Sequence, residues 1–342
     1  MEKHYLITGG AGFIGSNYVN RLLARGERVT IFDNLSRKGA TSNIDAIHEV
    51  HGKGSFNLIV GDLTDAALLL ATIREVDVAI HLAGQVAVTT SVFNPRLDFE
   101  SNALGTFNLL EAARLSDRKP IVLYASTNKV YGGMEEVRVI EEQTRYSYAD
   151  YPMGIPETYP LDFHSPYGCS KGTGDQYIRD YQRIYGVPTV VLRQSCIYGP
   201  RQFGIEDQGW LAWFVIAAVM GKPITIYGNG KQVRDVLYVE DLLDVFDLAI
   251  KNIDIVSGEI FNIGGGPENT LSVWQEFGPM LERILGKKIP VNWGEWRPGD
   301  QSIYVSDIRK AERELGWFPQ VRVEDGLERL VRWVQENQNL FE

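Results

Sequence analysis

Short apolar runs alternate with helix-period segments through the first half of the chain, the pattern of βαβ units laid into a parallel sheet. The runs are Tyr5–Thr8, Val29–Phe32, Leu58–Val60, Val78–Leu82 and Ile121–Tyr124, each predicted as a buried strand. Between the first two, Ile14, Tyr18, Val19, Leu22 and Leu23 recur on one face of a helix, and the crossovers between parallel strands are right-handed by rule. A further strand, Thr189–Leu192, follows a helix whose apolar face is read as Tyr177, Ile178, Tyr181 and Ile184. Beyond residue 196, Gly-Pro, Gly-Asn-Gly and Gly-Gly-Gly-Pro turns separate shorter elements. The chain closes on a helix carrying Leu327, Leu330, Val331 and Val334 on one face. Trp210, Trp213 and Phe214 have the spacing of a helix face packed into a core, with a stacking platform as the other reading. Together these patterns predict an α/β fold. A doubly wound parallel sheet occupies residues 1–195, a segment around 235–262 returns to it, and a smaller C-terminal α/β domain is formed mainly by 196–342.

Composition removes several classes of function. The chain has 342 residues, 44% hydrophobic and 23% charged, with a formal net charge of −10. That balance argues against a nucleic-acid surface, which needs a basic stripe. The N-terminal Met-Glu-Lys-His runs into a strand-like stretch without a signal pattern, and no apolar run approaches the roughly 20 residues that span a bilayer, so a cytoplasmic protein without a membrane partner is expected. Cys169 and Cys196 are too few for a disulfide framework and are read as buried apolar residues. His4, His48, His51, His81 and His164 show no metal-ligand spacing, so no metal is expected.

The first candidate chemistry is a phosphate cradle. Thr8-Gly9-Gly10-Ala11-Gly12-Phe13-Ile14-Gly15 joins the first strand to the first helix, where glycines let backbone approach a pyrophosphate and the helix N-terminus faces the anion. Asp33 ends the second strand about twenty residues on, the place for a carboxylate that accepts hydrogen bonds from ribose hydroxyls. It would repel a 2′-phosphate, which favours NAD over NADP, although Arg37 and Lys38 lie close enough in sequence to meet a phosphate. Asp62, after the third strand, is a candidate for adenine recognition and equally for a helix N-cap.

At these residues the chain resembles the extended short-chain dehydrogenase/reductase family, the nucleotide-sugar epimerases and dehydratases, whose fold is of the Rossmann type. The resemblance covers nearly the whole chain: the glycine loop, Asp62, His81-Leu82-Ala83-Gly84, Asn102, Ser126 to Gly132, Tyr167-Gly168-Cys169-Ser170-Lys171, Arg193, Tyr198-Gly199-Pro200, Arg234-Asp235-Val236 and Arg297-Pro298-Gly299-Asp300. Within the family, Asp33 to Ala40, Ser126 to Gly132 and Asp207 to Trp210 are most similar to the CDP-sugar 2-epimerases. The resemblance assigns NAD binding to Gly9, Gly12, Phe13, Ile14, Gly15, Asp33, Asn34, Ser36, Arg37, Asp62, Leu63, Leu82, Ala83, Gln85, Asn102, Tyr167 and Lys171. It assigns the sugar nucleotide to Thr127, Asn128, Arg201, Gln208, Arg234, Arg297, Asp300 and Tyr304, and it implies a homo-oligomer, a dimer or tetramer.

Tyr167 and Lys171 are one helical turn apart on the same face. A phenol of ordinary pKa near 10 is a weak base at neutral pH, and a nearby ammonium together with a cationic cofactor is expected to lower it. Tyr167 would then take a hydroxyl proton as hydride leaves carbon, with Thr127 hydrogen-bonding the reacting oxygen and Lys171 holding the nicotinamide ribose. The 4,6-dehydratases of the family carry an Asp-Glu pair after the threonine, and here the pair is Asn128-Lys129, which removes the acid and base of elimination. Oxidation to a ketone and return of the hydride to the opposite face then gives epimerisation, at C2 by resemblance. Inversion at C4 is the neighbouring alternative, and an inactive NAD-binding regulator is a third. Arg234 and Arg297 are candidate diphosphate clamps by bidentate charge-assisted bonds, or members of ordinary ion pairs.

Overall fold

The computed structural model describes residues 2–297 and 300–342, and the chain forms two compact units. The first comprises Met1–Val130, Phe163–Arg193 and Leu243–Phe261. The second comprises Tyr131–Asp162, Gln194–Leu242 and Asn262–Glu342. Residues 131–162, read in sequence as part of the first domain, thus group with the second unit, because the chain leaves the sheet once its fifth strand ends at Thr127.

In the first unit the apolar runs become β1 (His4–Thr8), β2 (Arg28–Asp33), β3 (Asn57–Val60), β4 (Val78–His81) and β5 (Ile121–Thr127). The sheet has seven strands in the order Ile260–Ile263, Thr189–Gln194, β5, β4, β1, β2, β3, with β1 pairing parallel to both β2 and β4. The helices are α1 (Phe13–Ala24), α2 (Ala40–His51), α3 (Ala66–Ile73), α4 (Val88–Phe93), α5 (Pro95–Phe99), α6 (Gly105–Leu115) and α7 (Ser165–Tyr185), with a π-helical turn at Glu100–Leu104. Strand alternation sends Leu6 and Phe32 to one face, where Leu69, Leu109, Leu110, Ile178 and Tyr181 cover them. On the other face the Tyr5 ring meets Tyr18 of α1, and Tyr18 meets Phe246, edge to face. The sheet is therefore doubly wound.

Register sets the site. Thr8 is paired with Phe32 on one side and His81 on the other, so β1, β2 and β4 end level, at the point where strand order reverses and α/β sheets form their crevice. Gly9 has φ +72°, and a Cβ on it would lie 2.7 Å from Ala83 N. Gly15, inside α1, would put a Cβ 2.3 Å from Gly9 O and 2.6 Å from Gly10 Cα. The loop folds tightly onto its own helix.

Two readings of buried residues change here. In α7, Ile178 and Tyr181 are buried, but Tyr177 and Ile184 are 44% and 64% exposed, because only the stripe facing the sheet is covered. Cys169, also on α7, is exposed, and Cys196 is half-buried.

The second unit packs helix Trp210–Met220 and helix Val323–Glu336 into one apolar core. Phe214 meets Trp274 and Phe277 there, and Trp210 meets Phe277, so the Trp210 to Phe214 face is core. Leu327, Leu330, Val331 and Val334 are buried in the same core. Strand Val233–Tyr238 organises the polar side of this unit, pairing with Thr270–Ser272, Ile303–Tyr304 and Cys196–Tyr198.

The tight loop gives a first test. Gly15→Ala is expected to lower unfolding free energy by about 1–3 kcal/mol through overpacking against Gly9, measured by chemical denaturation. Wild-type stability in this variant would mean that α1 tolerates displacement from the loop.

Candidate functional site

The end of the sheet is wired by one ordered chain of hydrogen bonds. Ala83 N donates to Thr8 Oγ1 at 3.2 Å, and Thr8 Oγ1 lies 2.7 Å from His81 Nδ1. His81 Nε2 lies 3.0 Å from Thr106 Oγ1, which donates to Asn102 O at 2.5 Å. Every proton in that chain has a place only if His81 carries its hydrogen on Nε2. Burial drives the His81 pKa down to about 3, with the Lys171 charge adding to the effect, so the ring is neutral.

Around this end lie all the residues expected to hold a dinucleotide, each within the first unit. Gly12 precedes α1 without a side-chain cap, and no acidic residue occupies the first turn with Phe13, Ile14 and Gly15, leaving amides and the helix dipole open to an anion. Asp33 is buried. Its Oδ2 accepts Ala11 N at 3.0 Å and its Oδ1 accepts Leu35 N at 2.8 Å. Burial raises its pKa, against the pull of these two amides and of Arg37. Arg37 itself is exposed. Asn34 donates to Asp62 Oδ2 at 3.0 Å and accepts from Ser36, so three expected contacts form one exposed cluster. Asp62 also accepts from the backbone and hydroxyl of Thr64, and the Thr64 amide is the main cause of its lowered pKa. It is not the cap of α3, a place taken by Asp65. Leu63 is buried under Gly105, and Leu82 N bonds Thr8 O at 3.1 Å.

Asn102 sits in the π-helical turn, the kind of irregularity that recurs at functional sites. Its Nδ2 donates toward Gln85 O, Asp98 Oδ1 and Ser170 Oγ. Its Oδ1 is buried without a hydrogen-bond partner and lies 2.5 Å from where a Cβ on Gly84 would stand. An orphaned acceptor beside an uncapped helix N-terminus and a buried carboxylate fits a ligand with a diphosphate and hydroxyl or amide donors.

The reacting set expected from sequence is brought together. Thr127, the last residue of β5, stands close enough to the Tyr167 phenol to oppose the rise in its pKa, while its own Oγ1 donates to Asn128 Oδ1 at 3.3 Å and accepts from Lys129 N at 3.2 Å. Lys171 Nζ donates to Ala125 O at 2.6 Å and stands 4.2 Å from the centre of the Tyr124 ring. Asn128 and Lys129 follow Thr127 in a 3-10 turn. The charges depart from expectation: burial pushes Tyr167 up to about 12, against the lowering effect of nearby Thr127, and Asp98 adds to the rise. Burial also draws Lys171 from 10.5 down to about 7, opposed by Asp175 and then Asp98. The protein alone therefore keeps the phenol protonated. Desolvation costs both charged forms more than their proximity returns.

Sequence reading missed Asp98 and Asp175, both fully buried. Asp98 gathers Gln85 Nε2 at 2.8 Å together with Asn102 and Ser170. Asp175 lies one turn beyond Lys171, and that four-residue spacing was the only signal in the chain.

The remaining expected residues lie in the second unit. Arg234 is buried and pairs with Asp300 at 2.8 Å, uniting two of them. Arg297 pairs with Asp207 at 3.2 Å and lies 3.9 Å from the centre of the Tyr227 ring. Pro298 and Gly299 of that motif are outside the described residues. Gln208 is half-buried beside Ile205 in a short bridge, and Arg201 is half-buried with φ +67°. Tyr304 is fully buried, paired in register with Arg234 and stacked on Tyr131 at 6.3 Å. Among the described residues, no His, Cys, Asp or Glu cluster could hold a metal, and no helix is long and apolar enough to cross a membrane.

The sequence profile of the GDP-mannose 4,6 dehydratase family matches residues 6–330. The chain belongs to this family of extended short-chain dehydrogenases/reductases. It is 46% identical to the CDP-paratose 2-epimerase of Salmonella typhi, over 96% of this chain and 98% of that one. The UDP-glucose 4-epimerase of Thermotoga maritima, solved with UDP-glucose, superposes with a TM-score of 0.84 at 30% identity, covering 98% and 99% of the two chains. A dTDP-glucose 4,6-dehydratase from Streptomyces venezuelae, solved with NAD bound, gives 0.81 at 32% identity and 98% coverage of each.

The buried lysine predicts a pH-dependent stability. Between about pH 7 and the ordinary lysine value near 10.5, the unfolded chain holds a proton that the folded chain has released, so stability rises with pH across that window. Lys171→Met removes the cost of burying the ammonium. Its ligand-free form is expected to exceed wild type by on the order of 2–4 kcal/mol near pH 6, with the gap closing toward pH 10. Parallel melting curves across that range would show instead that Lys171 titrates normally.

Proposed function

We propose that the protein is an NAD-retaining isomerase that inverts C2 of a CDP-linked sugar, of the CDP-paratose to CDP-tyvelose type. The observation that carries the chemistry is the gathering of buried Thr127, Tyr167 and Lys171 at the end of β5, with Lys171 Nζ fixed on Ala125 O, and with Asn128 and Lys129 where a dehydratase of this family has its acid and base. The choice of nucleotide and carbon is supported by the 46% identity to a CDP-paratose 2-epimerase.

Bound NAD supplies the hydride acceptor and donor. Gly9, Gly12 and the amides of Phe13, Ile14 and Gly15 would hold its diphosphate; Asp33, Asn34 and Ser36 would hold the adenosine ribose; Asp62 and Leu63 would border the adenine; and Leu82, Ala83, Gln85 and Asn102 would line the path toward Tyr167. Tyr167, once ionised beside Lys171 and a cationic cofactor, removes the proton of the C2 hydroxyl, and Thr127 donates to the same oxygen. The 2-keto sugar then turns over while its nucleotide stays held, with Arg234 and Arg297 as diphosphate clamps and Arg201, Gln208, Asn128, Asp300 and Tyr304 as further substrate contacts. Both arginines are already ion-paired, so substrate phosphate competes with Asp300 and Asp207. Tyr167 returns the proton when hydride re-enters from the other face, and no net redox change results.

Incubating the purified protein with CDP-paratose, CDP-glucose and UDP-glucose, without added cofactor, tests this by NMR. C2 inversion of a CDP-sugar without release of NADH is expected, and Tyr167→Phe is expected to lower kcat by roughly 10²–10⁴ with little change in KM. Inversion at C4 instead would transfer the protein to the 4-epimerases, with which it also shares its fold. No turnover despite bound NAD would favour a regulatory protein.

The same reading includes a cytoplasmic homo-oligomer. Phe107 and Tyr177 meet edge to face at 5.9 Å on the outer face of α6 and α7, and Ile184, Tyr185 and Leu115 extend this exposed apolar face. Light scattering is expected to give a dimer or tetramer, and a Phe107→Glu, Tyr177→Glu double variant a folded monomer. A monomeric wild type would remove this part of the reading.

A further inference from the structure

We propose that Asp175 is a positioning residue, tying α7 to the end of β5 so that Thr127 and Lys171 stay in reacting register; this rests on the reading of Thr127, Tyr167 and Lys171 as the reacting set. Tyr167, Lys171 and Asp175 are successive one-turn positions on one face of α7. Two of them bond consecutive residues of β5: Lys171 Nζ donates to the Ala125 carbonyl at 2.6 Å, and Asp175 Oδ2 accepts from the Ser126 hydroxyl at 2.7 Å, beside Thr127.

The second bond is anchored from behind. Arg193 Nε donates to Asp175 Oδ2 and its Nη2 to Oδ1, both at 2.9 Å. The two side chains are 2% and 0% exposed. Such a bidentate pair is stiff, and its carboxylate is aimed at the residue beside Thr127. A tether on the Ser126 hydroxyl therefore fixes the strand end between Ala125, which Lys171 holds, and Thr127, without drawing on the Thr127 hydroxyl.

The same carboxylate acts on the lysine. The ionisable groups around Lys171 are Tyr167 and Asp175 on α7, Asp98 on α5, Tyr124 on β5, neutral His81 on β4 and, behind Asp175, Arg193. Among these only Asp175 and Asp98 favour the ammonium, Asp175 more strongly.

Ser126→Ala removes the tether and leaves the ion pair intact; Asp175→Asn removes the charge. In the NAD-loaded enzyme, Ser126→Ala is expected to lower kcat by on the order of ten- to a hundredfold at unchanged KM and unchanged NAD content. Asp175→Asn is expected to move the alkaline limb of the kcat profile down by about one pH unit, with the acid limb in place. In the ligand-free protein its melting temperature should begin to rise at a correspondingly lower pH than in wild type. Wild-type kcat in Ser126→Ala, or an alkaline limb and melting onset unmoved in folded Asp175→Asn, would overturn the proposal. Should Asp175→Asn not fold, Ser126→Ala decides alone. Absence of wild-type turnover refutes the proposed function and not the part of the proposal that concerns the Asp175 charge, which the ligand-free melting onset of Asp175→Asn still reads through Lys171.

Discussion

The contact between one face of α7 and the last three residues of β5 is what the rest of the site depends on. A strand end is ordinarily the place where a sheet frays into loop. Here it is bonded twice, at Ala125 by Lys171 and at Ser126 by Asp175, to a helix more than five turns long, whose own buried side chains Ile178 and Tyr181 are packed on the sheet. Hydrophobic burial fixes where the helix lies, and the hydrogen bonds fix how far along the strand each side chain acts. Thr127 can then be poised at the sheet edge without the freedom of a loop.

Burial has a second consequence. The set that must handle a proton is placed where both charged forms are disfavoured, so Tyr167 is held well above and Lys171 well below its ordinary value. In this state the phenol cannot serve as a base. Under the proposed function a positive ligand charge beside it would favour the phenolate, and two buried carboxylates, Asp175 and Asp98, oppose the loss of the ammonium. In the proposed function, proton transfer by Tyr167 would then depend on the bound cofactor.

The second unit uses charge differently. Arg234 and Arg297 are satisfied by Asp300 and Asp207, and Arg297 also covers the Tyr227 ring. A guanidinium kept in a pair is held in one geometry, and under the proposed function an arriving diphosphate would have to displace or share a carboxylate to reach it.

The strand and helix order, the glycine loop, Asp33 at its strand end and the Tyr167 to Lys171 spacing were all legible in the chain, because each is a local pattern with a period or a turn chemistry of its own. So was the core face of the last helix. The sequence also determined the absence of carboxylates after Thr127, which no folding could alter. Tertiary structure alone decided which apolar residues of α7 are covered, since Tyr177 and Ile178 differ only in whether the sheet lies beneath them. It alone placed residues 131–162 in the second unit, and it brought Asp175 to Ser126 and Arg193, partners 49 and 18 positions away. It also set the charge states of Tyr167 and Lys171, because spacing along a helix tells which groups are neighbours but not how much water remains around them, and desolvation outweighed their attraction.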